Sequence, residues 1–208
     1  MGGTICSMII ITSLIVGSEL SAAPKVNEVG VMVLKTNGLG CPMPSTTKLT
    51  VDSDGDNQAD FFQVLFNEFY VTQPGKNKKT CHLHLAMTIP KTWQFAVVAM
   101  EQEGYASIDW RHEAILEATY HWSGSSDRSQ FATRFSSPFE DSYILNLDDE
   151  FGTSNWSKCG PKIIMNMKTT ATIKQRQGTQ GGFSILDMER QTGLVTQRWQ
   201  LQWRPCSS

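Results

Sequence analysis

Hydrophobic and polar residues alternate with a period of two along most of this chain, and this alternation predicts a succession of β-strands. Segments rich in Gly, Ser, Pro, Asn and Asp separate the alternating runs and predict turns. The stretch from residue 60 to residue 110 organises the pattern, because long strands follow one another there with little helical periodicity. Strands are predicted over residues 29–34, 46–51, 61–71, 81–88, 93–100, 105–110, 114–122, 130–135, 142–147, 162–174, 183–188 and 194–203.

Local features refine this pattern. Residues 101–104 (EQEG) predict a turn between two strands, and Thr192-Gly193 predicts a closing hairpin between the last two. Residues 113–118 (EAILEA) are helix-prone, but the Thr, Tyr, His and Trp around them favour a strand. In the last strand the predicted core face comprises Val195, Gln197, Trp199, Leu201 and Trp203.

About ten strands at short spacing, with polar turns between them and no long helix, are typical of a β-sandwich. The sequence contains no internal repeat and no linker. We therefore predict an all-β fold, namely a single-domain antiparallel β-sandwich, jelly-roll-like, with two disulfides.

The beginning of the chain has the pattern of a secretory signal peptide. An apolar run from Ile5 to Val16 precedes small residues, and Leu20 and Ala22 fit the positions before a cleavage site. The run is too short to span a bilayer. No Lys or Arg precedes it, and the alternative interpretation is an apolar N-terminal strand. The expected organisation is a signal peptide over 1–22, a lead-in over 23–38 and a secreted domain over 39–208.

Cysteine usage agrees with secretion. Cleavage after Ala22 removes Cys6 and leaves four cysteines in an oxidising compartment, which predicts two disulfides. Four cysteines allow three pairings, and the sequence does not choose among them. A zinc site is the competing interpretation, but no two of the four have the close spacing of such sites. The four cysteines are Cys41, Cys81, Cys159 and Cys206.

Composition and charge exclude several classes of protein. The charged fraction of 18% and the hydrophobic fraction of 40% are typical of a globular chain and not of a disordered one. The net charge of −2 provides no electrostatic basis for binding nucleic acid or an anionic membrane. We expect no nucleic acid partner and no membrane insertion after the signal peptide is cleaved.

Eight short motifs are spread between residues 39 and 206. They are Gly40-Cys41-Pro42, 61–71 (FFQVLFNEFYV), 79–83 (KTCHL), 93–95 (WQF), 104–106 (GYA), 120–125 (YHWSGS), 156–160 (WSKCG) and 201–206 (LQWRPC). In order and spacing they resemble the domain of unknown function 4360 family, which consists largely of small secreted proteins, many from filamentous fungi, with these four cysteines. The resemblance implies secretion, two disulfides and one domain, and it implies no activity.

Four aspartates in one loop have the spacing D-x-D-x-D-x-x-x-D. They are Asp52, Asp54, Asp56 and Asp60. Oxygen ligands at alternating positions of a tight loop suit Ca²⁺, so calcium is the candidate cofactor. The match to an EF-hand is poor, because Asn57 lies where Gly is required and Gln63 lies where the bidentate Glu belongs. A solvated hairpin turn explains the same residues, since Asp, Asn and Gly are favoured in turns.

Other candidate chemistry is sparse. His82 and His84 share one face of a strand and offer two metal ligands, although such pairs are more often ordinary surface or core residues. The chain lacks a G-x-S-x-G motif, and disulfide pairing leaves no free Cys nucleophile. The carboxylates available for a glycosidase are Glu68, Asp109, Glu113 and Glu117, and the sequence cannot place two of them at the required separation. No catalytic residue is assigned, and an enzyme is less favoured than a binding protein.

Aromatic residues and one sequon provide the surface candidates. The predicted core tryptophans are Trp93, Trp199 and Trp203, and the predicted surface aromatics are Trp110, Trp122 and Trp156. Exposed aromatic rings stack on sugars or anchor a partner protein. Asn155 begins the N-glycosylation sequon Asn155-Trp156-Ser157, which predicts a glycoprotein with a surface loop at this position.

These features predict a secreted, disulfide-stabilised β-sandwich of unknown activity, with an extracellular binding or effector-like role favoured. The expected partner is a cell-wall polysaccharide or a host protein. An extracellular polysaccharide-active enzyme and a structural cell-wall component are the alternatives. An exposed row of aromatics favours sugar binding, whereas a cleft with two close carboxylates favours the enzyme.

Overall fold

The computed structural model describes residues 23–42, 47–52, 55–66, 69–148, 155–188 and 195–207, and for residues 47–49, 52, 195 and 196 it describes the backbone alone. The strands are β1 (Gly30–Asn37), β2 (Thr47–Asp52), β3 (Phe61–Phe66), β4 (Tyr70–Gln73), β5 (Lys78–Thr88), β6 (Trp93–Ile108), β7 (His112–Trp122), β8 (Ser129–Phe135), β9 (Phe139–Asp148), β10 (Lys162–Gln175), β11 (Ser184–Asp187) and β12 (Val195–Pro205). One 3-10 turn, Val26–Glu28, precedes them. Within the described ranges, no helix has the length and apolarity needed to cross a membrane.

The strands form two antiparallel sheets that pack face to face. The five-stranded sheet has the order β1-β5-β10-β7-β8. In the seven-stranded sheet, β2, β3 and β12 lie side by side next to the long strand β6. The short strand β11 continues along the same edge of β6 and pairs with β4, while β9 takes the opposite edge of β6. The predicted all-β antiparallel sandwich is confirmed.

The structure corrects the predicted turn at residues 101–104. These residues lie inside β6, which runs without interruption from Trp93 to Ile108. Gln102 is fully buried and faces the core between Met100 and Gly104, so the period-two alternation continues through the polar segment. Gly104 lies opposite Tyr143 of β9, and a Cβ there would lie 2.5 Å from the phenol oxygen. The glycine that predicted a turn therefore makes room for an aromatic ring in the middle of a sheet.

Two further predictions about the strands were wrong. The single strand predicted over 61–71 is divided into β3 and β4, which pair with different neighbours, β3 with β2 and β12 and β4 with β11. The predicted closing hairpin between the last two strands is also absent among the described pairings, because β11 pairs with β4 and β6 whereas β12 pairs with β3 and β6. Its turn at Thr192-Gly193 lies outside the described residues. Short-range alternation identifies strands but not their partners.

Aromatic side chains join the two sheets in the core. The Trp199 ring of the seven-stranded sheet contacts Tyr120 and Phe131 of the five-stranded sheet edge-on, with centroid separations of 6.4 Å and 5.4 Å. The Tyr120 hydroxyl donates to the carbonyl of Val97 across the sandwich at 3.2 Å. Gln197, Trp199 and Leu201 are buried as the alternation in the last strand predicted, and such edge-to-face pairs stabilise a core beyond the area they bury.

The two disulfides are confirmed and their pairing is resolved. Cys41 pairs with Cys81 at a Cα separation of 5.1 Å, and this bridge is buried and fastens the loop after β1 to β5. Cys159 pairs with Cys206 at 5.9 Å. Since Cys159 precedes β10 and Cys206 follows β12, the second bridge connects the two sheets at one end of the sandwich.

Candidate functional site

A cleft with a volume of about 430 Å³ crosses the outer face of the seven-stranded sheet. Strands β3, β12, β6 and β9 each contribute side chains to it. Its lining residues are Phe61, Ala99, Met100, Glu101, Asn146, Asp148, Arg198 and Gln200. Along β6, Ala99 and Glu101 alternate with buried residues, which is why the same strand supplies both the core and the cleft.

Cross-strand register arranges the cleft side chains in two rows. The first row is Arg198, Glu101 and Asn146, and the second row is Phe61, Gln200, Ala99 and Asp148. Directly opposed side chains in an antiparallel pair lie about 5 Å apart at Cβ. The two rows therefore form one continuous surface from residues that are far apart in the sequence.

Arg198 organises the middle of the cleft. Its guanidinium carbon lies 3.8 Å from the centroid of the Phe61 ring, and Nη1 lies 3.5 Å from the Glu101 carboxylate. Stacking on an aromatic face and pairing with a carboxylate restrict the guanidinium to one plane. Phe61 is left 7% exposed beneath it, so the ring supports the cleft floor and does not project into solvent.

The chemistry of the cleft is that of a hydrogen-bonding surface. Glu101 and Asp148 provide carboxylate acceptors, Asn146 and Gln200 provide amides that both donate and accept, and Arg198 provides planar donors. Ala99 and the edge of Phe61 supply a small apolar area. Such a mixture matches a neutral molecule with many hydroxyl groups better than it matches an apolar ligand.

The predicted calcium loop is only partly described. Residues 53 and 54 lie outside the described ranges, as does the side chain of Asp52. Asp56 is exposed, and its carboxylate accepts hydrogen bonds from the Gln58 backbone amide at 2.7 Å and from the Gln58 side-chain amide at 2.5 Å. Asn57 adopts a left-handed conformation with φ of 66°, as residues of tight turns often do. Calcium binding at this loop stays a prediction.

The predicted H-x-H pair lies on the outer face of the five-stranded sheet. His82 and His84 are joined there by His121 of β7, because Asn166 of β10 lies opposite both His84 and His121. Burial and the nearby charges of Lys168 and His84 lower the pKa of His82. The pKa of His121 is lowered by burial, then by Arg128 and by His84. We call these three imidazoles the histidine face. Within the part of the chain that the structure describes, no three His, Cys, Asp or Glu residues gather closely enough to hold a metal ion.

A serine and a histidine meet in the core at another place. His112 Nδ1 lies 2.7 Å from the Ser184 hydroxyl, which also accepts a hydrogen bond from the Asp109 backbone amide at 2.8 Å. Both side chains are fully buried. A nucleophile and base need access to a reacting group, so this pair holds β7, β11 and the turn between β6 and β7 together and does not form a reaction site.

Among the three tryptophans predicted to lie on the surface, the prediction for Trp122 is wrong. Trp122 is 3% exposed and donates from Nε1 to the Asn155 carbonyl at 3.0 Å, because it lies in the alternating phase of β7 that faces the core. Trp110 is 55% exposed, with the Arg111 guanidinium 5.2 Å from its ring centroid. Trp156 is partly buried and is covered by the Arg204 guanidinium at 4.0 Å.

The surface position predicted for the glycosylation sequon is also wrong. Asn155 is 5% exposed, and its side-chain amide donates to the Ser129 hydroxyl at 3.3 Å. Ser157 is 3% exposed and accepts a hydrogen bond from the Phe95 backbone amide. The segment closes one end of the sandwich between the two sheets. A glycan on Asn155 would break a buried hydrogen bond and would need space that packed side chains occupy.

The residues of the cleft were missed at the sequence level. Glu101 falls in the turn predicted over 101–104, and Asp148 lies just after the strand predicted over 142–147. The alternation of Ala99, Glu101 and Glu103 with buried positions is the signal that could have placed Glu101 on the outer face of a strand. Of the four carboxylates considered for a glycosidase, three lie elsewhere, and Glu68 falls outside the described residues.

Comparison with known proteins identifies relatives but no activity. The family model for the domain of unknown function DUF4360 matches residues 27–206. An uncharacterized secreted protein of Arthroderma benhamiae is 26% identical over 188 residues, which cover 86% of this chain and 74% of that protein. The secreted relative and the two disulfide bridges show that the protein is extracellular.

Comparison with solved structures gives matches of low similarity. A structure described as carbohydrate-binding modules from the β-sandwich superfamily is 9% identical to this chain at a TM-score of 0.26. The matched region covers 88% of this chain and 63% of that chain. The family 11 carbohydrate-binding module from Clostridium thermocellum is 8% identical at a TM-score of 0.20, with coverages of 84% and 89%. Similarities at this level identify no ligand for the present chain.

Proposed function

This chain belongs to the DUF4360 family, and we propose that it is a secreted, non-enzymatic binding protein that holds a neutral extracellular polysaccharide in the cleft on its seven-stranded sheet. The observation that supports this proposal is the composition of the cleft wall. Planar hydrogen-bonding side chains from β6, β9 and β12 face one another over a floor that contains Phe61.

Sugars present pairs of adjacent hydroxyl groups, each of which donates and accepts. Carboxylates, amides and guanidinium groups are planar and bind such pairs with two parallel hydrogen bonds. Glu101, Asp148 and Arg198 supply charged partners, which form stronger hydrogen bonds than neutral ones. The apolar faces of a sugar ring would lie against Ala99 and the exposed edge of Phe61.

Charge favours a neutral ligand over an anionic one. Two carboxylates and one guanidinium line the cleft, so its local charge is negative. Since Arg198 is already paired with Glu101, it provides little uncompensated positive charge for an anion. The extended cleft crosses four strands, which suits a chain of sugar units better than a single one.

The test is retention of the purified mature protein on neutral cell-wall polymers, including cellulose, chitin, β-glucan and mannan. Replacement of Gln200, which is exposed in the cleft, by Ala should weaken retention about fivefold, since one ligand hydrogen bond is lost. The matched control is Gln202→Ala, an exposed glutamine of the same strand that does not line the cleft. Retention on none of the polymers contradicts the proposed function, and equal loss in the two variants contradicts the proposed location.

An enzyme acting on the same class of polymer is the second candidate. Glu101 and Asp148 line one cleft, and two carboxylates flanking a glycosidic bond are the usual requirement for its hydrolysis. The same retention assay distinguishes this activity through the release of new reducing ends. Cleavage that disappears in Asp148→Asn, with retention preserved, would replace the binding proposal by this one.

A further inference from the structure

The histidine face combines three imidazoles from two strands that are not neighbours. His82 and His84 lie two residues apart on β5, and Asn166 of β10 separates His84 from His121 of β7. With strands about 4.8 Å apart and two-residue steps of about 6.8 Å, the three backbones lie within about 12 Å of one another. His82 is exposed and the other two are partly exposed, so solvent reaches all three.

Positive charge surrounds the three imidazoles. Lys35 of β1 lies opposite His84, Lys168 of β10 lies opposite His82, and Arg128 precedes β8 beside His121. The other groups opposite the histidines in the register, Asn37 and Asn166, are uncharged. Negative charge is more distant: Glu117 lies two rows from His121 along β7, and Asp127 precedes Arg128. Among the described residues, no carboxylate lies directly opposite any of the three.

We propose that the outer face of the five-stranded sheet is a second binding surface, which takes up a carboxylate-bearing polysaccharide in mildly acidic surroundings and releases it near neutral pH. At neutral pH the surface carries mainly Lys35, Lys168 and Arg128 as isolated cations. Protonation of His82 and His121 adds positive charge in the space between them. An anionic chain that crosses the strands compensates both sets of charges at once.

The protonation state follows from the same geometry. Burial and the neighbouring cations lower the pKa of His82 and of His121, so both imidazoles are neutral at pH 7. A bound carboxylate reverses the effect of the cations and raises the pKa of each imidazole, so binding takes up protons. Carboxylic acids of sugars ionise near pH 3.5, like an α-carboxyl group, and stay charged where histidine becomes protonated.

A polysaccharide fits this surface better than a phospholipid membrane. The side chains between the charged groups are hydroxyls and amides that offer hydrogen bonds to sugar hydroxyls, namely Thr80, Thr119, Gln130 and Asn166. Two of them, Thr119 and Gln130, line a depression of about 190 Å³ together with Glu117, Lys168 and Thr170. Membrane binding requires apolar or aromatic side chains that insert between lipids. The exposed apolar residues Met32 and Leu34 lie on the edge strand β1, whereas Asn166 and Lys168 lie among the imidazoles.

The experiment compares two forms of one polymer. Binding of the purified full-length mature protein to de-esterified polygalacturonate and to the fully methyl-esterified polymer is measured at about pH 5 and about pH 7.5, on either side of the ordinary pKa of histidine. We expect the de-esterified polymer to bind at least about tenfold more tightly at the lower pH, because the added positive charge contributes to the attraction. We expect the esterified polymer to show no such difference.

Variants separate this surface from the cleft. The triple change His82→Gln, His84→Gln and His121→Gln keeps polar side chains on the outer face, and it should abolish the pH dependence. Lys168→Gln should weaken binding at both pH values, since its charge is present at both. Gln200→Ala, in the cleft on the opposite sheet, should leave binding to the charged polymer unchanged.

Three results would overturn the proposal. They are equal affinity for the charged polymer at both pH values, equal affinity for its esterified form, and an unchanged pH dependence in the triple variant with its fold intact by circular dichroism. Tighter acid-dependent binding to phosphatidylserine vesicles or to polyphosphate than to polygalacturonate would replace the polysaccharide by those anions. Since the cleft takes no part, failure of the neutral-polymer test leaves this test unaffected.

Discussion

The two outer faces of the sandwich are both antiparallel sheets, but their charged side chains have different neighbours. On the seven-stranded sheet, Arg198 is stacked on Phe61 and paired with Glu101. On the five-stranded sheet, Lys168 lies opposite His82, a group that is itself a base. The charges of the cleft are set by internal pairing, whereas those of the histidine face respond to protons and anions. Cross-strand neighbours, and not the fold, therefore decide which surface is fixed and which is responsive.

The largest expected effect on stability concerns the close packing around Gly104 in β6. Gly104→Ala places a Cβ 2.3 Å from the Asp187 carbonyl oxygen and 2.5 Å from the Tyr143 hydroxyl, where β9 and β11 meet β6. We expect the free energy of unfolding to fall by about 3 kcal/mol, since overpacking a buried sheet forces the strands apart. Urea unfolding followed by tryptophan fluorescence measures the change.

A glycine of the other sheet provides the control for this change. In Gly30→Ala the new Cβ lies 3.6 Å from the Thr88 Cβ, an ordinary contact at an exposed edge strand. Its free energy of unfolding should stay within about 0.5 kcal/mol of the wild type. An equal loss in both variants would show that the close contacts around Gly104 do not set the stability of the seven-stranded sheet.

A smaller effect compares one ion pair from each face. Arg198→Ala removes the stacking on Phe61 together with the pairing to Glu101, and we expect a loss of about 1 kcal/mol in the free energy of unfolding. Arg134→Ala breaks the exposed pair with Glu113, which has no described aromatic partner, and should cost at most about 0.5 kcal/mol. A double-mutant cycle with Phe61→Leu isolates the stacking contribution. If the cycle shows no coupling, the guanidinium is not held by the ring.

The smallest effect is the pH dependence of stability without a ligand. Because the pKa values of His82 and His121 are lowered in the folded protein, the unfolded chain takes up protons first as the pH falls below about 6.5. The free energy of unfolding should therefore decline between about pH 6.5 and the lowered pKa values, and then level off. The variant His82→Gln/His121→Gln should lose this part of the decline. A curve parallel to that of the wild type would contradict the assignment.

The sequence predicted the strands well because their cause is local. In Lys162–Gln175, buried and exposed positions alternate over most of the strand, and the alternation is visible in the sequence alone. EAILEA lies within β7, since strand pairing outweighs its helical propensity. The segment EQEG was read as a turn because polar residues and a glycine usually end a strand. Burial of Gln102 and the packing of Tyr143 on Gly104 are tertiary causes that no short window contains.

The candidate sites were harder to predict for the same reason. Glu101 and Asp148 belong to one cleft because β6 and β9 pair, and Arg198 joins them from the far end of the chain. His82 and His84 were recognised as a pair from their spacing, whereas His121 is added by the order of three strands in the sheet. Trp122 and Asn155 were assigned to the surface from their position near predicted loops. Trp122 lies in the core-facing phase of β7, and Asn155 is buried where its carbonyl accepts the Trp122 indole N–H.

The bridge between Cys159 and Cys206 also determines how the protein would carry mechanical load. Tension along the backbone at Cys206 passes through the disulfide to Cys159 and bypasses residues 160–205, which include β10, β11 and β12. While the bridge is intact, those residues cannot extend, and the unfolded length is shorter by about 150 Å. The strand that carries Arg198 is thus shielded from tension along the backbone.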